Sequence, residues 1–224
     1  QRQMCIRDRN VTFAYENTDH PAVSHLSFTA KAGTTTALVG HSGSGKSTTA
    51  SLIPRFYDVQ QGAVKIGGVD IREIPHADLM KMVAFVFQDP KLFKDTLLEN
   101  IRAGRPSATR DEVLQAARLA QCDDILEKFP DGLDTVVGSK GVYLSGGETQ
   151  RIAIARAILK DAPIVVLDEA TAYADPENEQ QIQKAFEGLV KGKTVIMIAH
   201  RLSTIQDADL ILVMTVSYTH LRAH

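Results

Sequence analysis

The stretch that decides the fold is Thr34-Thr35-Thr36-Ala37-Leu38-Val39 followed by Gly40-His41-Ser42-Gly43-Ser44-Gly45-Lys46-Ser47. The first six residues are rich in β-formers and end at a glycine, as a buried strand does. The residues from Ser47 to Arg55 predict a helix that stops near Pro54. The spacing between them, G-x4-G-K-S, is that of a phosphate-binding loop, and it has the strand and helix that the motif requires on either side.

Each part of this loop is suited to binding a nucleoside triphosphate. Its glycines allow the backbone N–H groups to point inward around the phosphates. Lys46 supplies a positive charge to the β- and γ-phosphates, and Ser47 offers its hydroxyl to Mg²⁺. The N-terminus of the following helix adds its dipole. We therefore expect contacts with the phosphates of a nucleotide from Gly40, Ser42, Gly43, Ser44, Gly45, Lys46, Ser47 and Thr48.

A second candidate site lies at the end of another apolar strand. Residues Ile164–Leu167 are followed by Asp168 and Glu169. An apolar strand that ends in two acids is often only a structural edge. Downstream of a phosphate-binding loop, however, the same pattern predicts that Asp168 holds Mg²⁺, directly or through water. Glu169 would then lie beside the γ-phosphate and polarise the attacking water as a general base.

Composition limits the classes of protein that are possible. The chain has 224 residues, 44% hydrophobic and 23% charged, which suggests one globular domain, or one domain with a subdomain. A net charge of −2 argues against a general nucleic-acid-binding surface. Two cysteines cannot form a disulfide scaffold, so a reducing compartment is expected. The longest apolar runs, such as Val195–Ala199, are too short to span a bilayer.

The two ends of the chain have an unusual composition. Residues 1–9 and 215–224 back-translate into codons that look like the transposon adapters of sequencing libraries. Such segments are excluded from fold reasoning. We therefore expect non-native tails at both ends and a natural domain over residues 10–214, with no targeting signal that can be read.

The remaining pattern alternates strands and helices. Strands are expected at 11–15, 26–30, 34–39, 83–87, 164–167, 194–198 and 210–214, with a hairpin around Gly67-Gly68. From Leu92 to Lys160 the pattern is helical and contains two capping boxes, Thr109 with Glu112 and Ser145 with Glu148. A final helix is expected at 177–189. This order predicts an α/β fold with a mainly parallel sheet covered on both faces and a helical insertion.

The second capping box lies within Leu144-Ser145-Gly146-Gly147-Glu148, about twenty residues before Asp168. Ser145 and the N–H groups of the two glycines form a second phosphate cradle at a helix start. With the loop and the Asp-Glu strand, this segment resembles the signature of the nucleotide-binding domain of ATP-binding-cassette (ABC) transporters. The resemblance implies a P-loop NTPase fold with a mainly parallel core, an antiparallel β subdomain and a helical signature subdomain over about residues 91–160.

The resemblance also implies roles for individual residues. In the family the signature closes on the ATP of a second domain, so Ser145, Gly146, Gly147 and Glu148 would contact nucleotide across a dimer. Other matching positions are Tyr15, which would stack on adenine; Gln88, which would contact Mg²⁺ and the attacking water; His200, which would contact the γ-phosphate and order Glu169; and Asp175, in the loop that crosses the dimer interface.

Several positions depart from the family pattern. Glu148 stands where Gln is usual and places a negative charge near ATP. Ser139 replaces the glutamate that helps exporters couple to their membrane domain, and Tyr143 replaces the usual Asn. The sequence of residues 171–175 resembles that of a subset of bacterial half-transporters.

The segments Thr96–Ile101 and Thr135–Gly138 resemble the coupling regions of exporters. This implies a transmembrane domain in the same polypeptide, a second ABC ATPase domain as dimer partner, and a place at the cytoplasmic face of the cell membrane. Two alternatives stay open: the ATPase subunit of an importer, and a non-transport ABC ATPase. A catalytically inactive regulatory domain is disfavoured because Lys46, Asp168, Glu169 and His200 are all present.

Overall fold

A computed structural model of the chain describes residues 6–16, 18, 20–138, 141–168, 176–199, 205, 207–215 and 219–222, with the backbone alone for residues 176, 177 and 219–222. The chain divides into two compact units. The first comprises residues 1–85, 163–169 and 192–224, and the second comprises residues 86–162 and 170–191.

Among its described residues, the first unit contains two sheets, two α-helices and a 3-10 turn at Ile71–Glu73. Its strands are β1 (Ile6–Phe13), β2 (Val23–Ala30), β3 (Thr35–Gly40), β4 (Gln61–Ile66), β5 (Val69–Asp70), β6 (Val83–Val86), β7 (Ile164–Asp168), β8 (Thr194–Ile198), β9 (Leu210–Met214) and β10 (Thr219–Arg222), and its helices are α1 (Lys46–Leu52) and α2 (His76–Met82).

The larger sheet places the phosphate-binding loop. Its strand order is β10-β9-β3-β8-β7-β6, and β9, β3, β8 and β7 run parallel to one another. Parallel strands end at the same edge of a sheet, so the loop after β3 and the acid at the end of β7 share that edge. This is the edge at which α/β proteins bind ligands. The mainly parallel sheet predicted from the sequence is confirmed.

The smaller sheet is antiparallel and has the order β2-β1-β4-β5. The predicted hairpin is confirmed, because Ile66 pairs with Val69 on either side of Gly67-Gly68. Buried side chains from both sheets and from α1 form one continuous core, which includes Leu26, Leu38, Leu52 and Ile196. The strand before the loop and the helix after it are therefore both anchored in this core.

The second unit is helical. Its helices are α3 (Leu97–Arg102), α4 (Arg110–Leu119), α5 (Asp123–Lys128), α6 (Gly146–Lys160) and α7 (Pro176–Val190), with a 3-10 turn at Gly132–Asp134. Both predicted capping boxes are present, at the starts of α4 and α6. The unit includes α7 in addition to the predicted stretch 91–160.

Parts of both chain ends pair with the sheets. Residues 6–9 form the first half of β1 and pair with both β2 and β4, and Ile6 is fully buried. Thr219–Arg222 pairs antiparallel with β9 as an edge strand. Residues 6–9 alternate between buried and exposed positions along β1, as residues of a half-buried strand do. Their adapter origin stays a prediction. The helix α2 was also not predicted.

One residue of β1 conflicts with its surroundings. Asp8 lies in register with Phe28 and Val64, on the same buried face as Ile6, and is 2% exposed. Neither carboxyl oxygen has a hydrogen-bond partner. Burial raises the pKa of Asp8 from its ordinary value of 3.8 to about 7. Position 8 therefore suits an apolar side chain, and an ionised aspartate destabilises the sheet.

Replacement of Asp8 by Val is expected to raise the free energy of unfolding at pH 8 by about 4 kcal/mol, the equivalent of a shift of about 3 pKa units. Because the folded state binds the proton more tightly, the parent chain loses stability as pH rises from about 4 to about 7. Asp8→Val should remove this dependence. Urea unfolding at pH 4 and pH 8 measures the free energy of unfolding of both chains. Asp131→Val, a substitution at an exposed position, is the control. Equal stability of Asp8→Val and the parent at pH 8 would contradict this reading.

Candidate functional site

The phosphate-binding loop takes its shape from two close backbone approaches. Gly40 has a φ of 151°, and a Cβ there would lie 2.1 Å from the Met214 carbonyl oxygen. Gly45, at the start of α1, has a φ of 87°, and a Cβ there would lie 2.3 Å from the Ala22 carbonyl oxygen. Any side chain at either position would collide with backbone. Only glycine permits the tight turn that the loop makes at both of its ends.

Lys46 lies at the centre of this loop. Its ammonium Nζ donates hydrogen bonds to the carbonyl oxygens of Gly40 at 2.9 Å and His41 at 2.8 Å, and to Ser44 Oγ at 3.5 Å. The residue is only 5% exposed. The hydrogen bonds hold the ammonium group within the loop, where it can meet an anionic ligand.

The structure brings Ser47 and Asp168 together, although 121 residues separate them. Ser47 Oγ donates a hydrogen bond to Asp168 Oδ1 at 3.3 Å. The strand order explains the contact, since β3 and β7 flank β8 and end at one edge. A hydroxyl and a carboxylate are the hard oxygen donors that Mg²⁺ prefers. The two residues therefore fit the metal site predicted from the sequence.

Tyr15 follows β1 and lies beside the loop helix. Its hydroxyl lies 3.0 Å from Thr48 Oγ1, a hydrogen-bond distance. Its ring makes near-perpendicular contacts with the rings of Phe13 and Tyr57, with centroids 5.0 Å and 5.3 Å away. Two neighbouring rings and one hydrogen bond thus fix its orientation, while 38% of the residue stays exposed. A held and accessible ring of this kind can stack on a base.

The signature segment opens α6, in the second unit. Ser145 is the N-cap, and its Oγ accepts a hydrogen bond from the Glu148 N–H at 3.2 Å. Glu148 Oε2 accepts the Ser145 N–H at 2.7 Å. Glu148 is 9% exposed, so its carboxylate is tied into the helix start. The helix that follows is fifteen residues long and lends its dipole to this end.

Gln88 is exposed and follows β6. Its neighbour Phe87 accepts a hydrogen bond through its carbonyl oxygen from Gln150 Nε2 of α6, at 3.5 Å. Gln150 is fully buried. The segment that carries Gln88 is therefore tied to the same helix as the signature, a contact between residues 63 positions apart.

Apart from Gln88, the predicted site residues fall into three groups. Within the first unit the structure gathers Tyr15, Thr48, Lys46, Ser47 and Asp168. Within the second unit it places Ser145, Gly146, Gly147 and Glu148 at one helix start. Glu169, Asp175 and His200 lie outside the described residues, as do Ser139 and the stretch 171–174.

Sequence reasoning missed two residues that the structure places at these sites. Tyr57 holds one side of the Tyr15 ring. Lys128, at the end of α5, donates a hydrogen bond to Glu148 Oε1 at 2.9 Å. Both contacts join distant parts of the chain, and neither residue belongs to a local motif, so no spacing rule could indicate them.

The strand–loop–helix geometry and the paired oxygen donors define a P-loop nucleotide-binding domain. A family model described as "ABC transporter" matches residues 23–172. The chain belongs to the ABC transporter family, of which it is an ATP-binding domain. In the part of the chain that the structure describes, no helix combines the length and apolar character needed to cross a membrane.

Individual relatives agree with this assignment. The chain is 51% identical over 210 residues to an ATP-dependent lipid A-core flippase of Escherichia coli, covering 93% of this chain and 36% of the flippase. It is 50% identical over 204 residues to the corresponding flippase of Chromobacterium violaceum, covering 91% of this chain and 35% of that protein. A solved bacterial Atm1-family ABC exporter with ATP bound superposes with a TM-score of 0.88 at 42% identity, covering 98% of this chain and 39% of the exporter chain. The chain thus spans about a third of these relatives.

The Tyr15 ring offers a direct test of base stacking. Replacement by Ala should weaken ATP binding by about 1–3 kcal/mol, the range for base–aromatic stacking. Tyr15→Phe keeps the ring and loses only the hydroxyl contact with Thr48, so it should bind nearly as the parent does. Calorimetric titration measures the ATP affinity of all three chains, and Phe56→Ala, which removes an exposed ring packed against Phe85, serves as the control for a general loss of packing. If Tyr15→Ala binds as tightly as Tyr15→Phe, the stacking role is wrong.

Proposed function

We propose that the chain binds and hydrolyses ATP to power export by a longer transporter. The observation that carries the proposal is the joining of the Lys46 ammonium, the Ser47 hydroxyl and the Asp168 carboxylate at one edge of a parallel sheet. The names of the relatives, a flippase and an exporter, support export over the importer and non-transport alternatives. The chain spans about 35% of the flippases it matches, so the remainder of such a transporter would supply the membrane helices.

In this proposal Ser47 and Asp168 would hold Mg²⁺, and the role of Gln88 toward the ion is taken from the family resemblance alone. When bound, the ion would neutralise charge on the phosphate oxygens of ATP. Lys46 would bind the β- and γ-phosphates, and Tyr15 would stack on the adenine. Glu169 accepts a proton from the attacking water, while His200 contacts the γ-phosphate and orders Glu169. These roles for Gln88, Glu169 and His200 stay predictions.

We further propose that hydrolysis takes place in a head-to-tail dimer. Two phosphate cradles are predicted in one chain, one at residues 40–47 in the first unit and one at Ser145–Glu148, the start of α6, in the second. A single set of carboxylates accompanies the first cradle. The second cradle is therefore free to bind the ATP held by another domain, with Asp175 crossing the interface. ATP would bridge the two domains, and loss of the γ-phosphate would let them separate.

The partners follow from this arrangement. Separation of the domains would move membrane helices carried by the same polypeptide, which places the ATPase at the cytoplasmic face of the cell membrane. The second ATPase domain is either an identical chain or a related one. The cargo would be chosen by the membrane helices, and nucleic acid has no part in the cycle.

The variant Glu169→Gln tests the dimer. Loss of a general base typically slows a reaction by about 10²–10⁴-fold. Glu169→Gln should therefore bind ATP without turnover and accumulate as a dimer when MgATP is added. Light scattering at increasing protein concentration measures the dimer, and a phosphate-release assay measures turnover.

The matched control adds Ser145→Arg, which puts bulk and positive charge into the second cradle. The double variant should still bind ATP through its own loop but remain a monomer. Normal hydrolysis by Glu169→Gln would contradict the base assignment. A Glu169→Gln chain that stays monomeric at ATP saturation would contradict the proposed head-to-tail dimer.

A further inference from the structure

The carboxylate of Glu148 has a partner on each oxygen. Oε2 accepts the backbone N–H of Ser145 at 2.7 Å, and Oε1 accepts the Lys128 ammonium at 2.9 Å. Burial of the carboxyl opposes its ionisation, but the hydrogen bonds from Ser145 and Lys128 outweigh burial, so the pKa of Glu148 lies below its ordinary value. Glu148 is therefore a carboxylate at neutral pH. Its charge lies against the backbone of the signature serine.

A second ion pair joins the same two helices. Arg151, one turn after Glu148 on α6, forms a two-pronged pair with Asp124 of α5, at 2.6 Å and 2.9 Å. Asp124 and Lys128 are four residues apart on α5, and Glu148 and Arg151 are three apart on α6. The charges alternate along both helices, so each of these acids pairs with a base on the other helix. Arg151 is 1% exposed, so its pair with Asp124 anchors α5 to α6 in the interior of the second unit. Lys128 is half exposed.

The consequence concerns the charge of the second cradle. In the dimer proposed above, the triphosphate of another domain must approach Ser145. An uncompensated carboxylate 2.7 Å from the Ser145 nitrogen would repel it. The neutral glutamine that the family usually has at this position would not repel the triphosphate. Lys128 supplies the missing compensation through its ion pair with Glu148.

We propose that Lys128 is a positioning residue for the second phosphate cradle: by pairing with Glu148 it cancels the carboxylate charge at the signature and holds that carboxylate on the Ser145 N–H. This inference rests on the proposed dimer. It assigns Lys128 a role that depends on Glu148 and that disappears when position 148 is neutral. A half-exposed ion pair contributes little to stability, so the effect of Lys128 falls on dimer formation and not on folding.

A double-substitution cycle in the Glu169→Gln background tests the proposal. Four chains are compared: the background alone, with Lys128→Met, with Glu148→Gln, and with both. Methionine keeps the length and apolar stem of lysine without its charge. The measurements are the dimer dissociation constant in saturating MgATP by light scattering, the ATP affinity of the monomer by calorimetry, and the thermal midpoint. Lys81→Met, which removes an exposed lysine from the ion pair with Asp78 on α2, is the matched control.

Lys128→Met is expected to raise the dimer dissociation constant by about tenfold, equivalent to about 1.4 kcal/mol. The ATP affinity of the monomer and the thermal midpoint should stay close to the background, because the loop at residues 40–47 is untouched. In the Glu148→Gln chain, the same lysine substitution should have no further effect. Lys81→Met should leave all three quantities unchanged.

Two results would overturn the proposal. An unchanged dissociation constant for Lys128→Met would show that the carboxylate charge does not matter at the interface. An equal loss from Lys128→Met in the background and in the Glu148→Gln chain would show that Lys128 acts on the phosphates directly. Failure of the background chain itself to form a dimer would instead refute the proposed function, so the two failures are distinguishable.

Discussion

The site depends on one constraint: a buried ammonium has to be held at the centre of a short loop by the carbonyl oxygens of that loop. Lys46 meets it by donating to Gly40 and His41. The loop can curve tightly enough only because Gly40 and Gly45 lie against the backbone of Met214 and Ala22. Met214 closes β9, which pairs with β3. The geometry of the loop is therefore set by a neighbouring strand of the sheet as well as by its own sequence.

The same sheet explains why distant residues share a site. Ser47 and Asp168 meet because β3, β8 and β7 are parallel neighbours that end at one edge. In the second unit, paired charges align α5 with α6 and place a carboxylate on the N-terminus of the signature helix. One unit thus offers a fixed positive charge with oxygen donors, and the other offers a capped helix start. Two such chains arranged head to tail would enclose a triphosphate between these two surfaces.

Local patterns were enough to predict much of this structure. The phosphate loop, the hairpin at Gly67-Gly68 and both capping boxes are made by residues within eight positions of one another, and each is present as predicted. The parallel sheet followed from the alternation of strands and helices. Ser47 and Asp168 were each predicted as Mg²⁺ ligands from separate motifs, and the structure places their side chains 3.3 Å apart.

What the sequence did not predict depends on contacts between distant segments. The helix α2 is too short for its apolar residues to show the helical periodicity by which a helix is recognised in a sequence. Residues 6–9 were set aside because of their apparent origin, yet β2 and β4 accept them as a strand and bury Asp8 without a partner. The compensation of Glu148 by Lys128 and the support of Tyr15 by Tyr57 join residues that no linear motif connects.

The central claim is that residues 40–47 bind ATP through the buried ammonium. Calorimetric titration of MgATP into the parent chain and into Lys46→Ala tests it most directly, with circular dichroism to establish that both are folded. Hydrogen bonds to charged groups contribute about 1.5–3 kcal/mol, so Lys46→Ala should bind MgATP at least about tenfold more weakly. The parent should saturate with one ATP per chain. Equal affinities for the two folded chains would contradict the account.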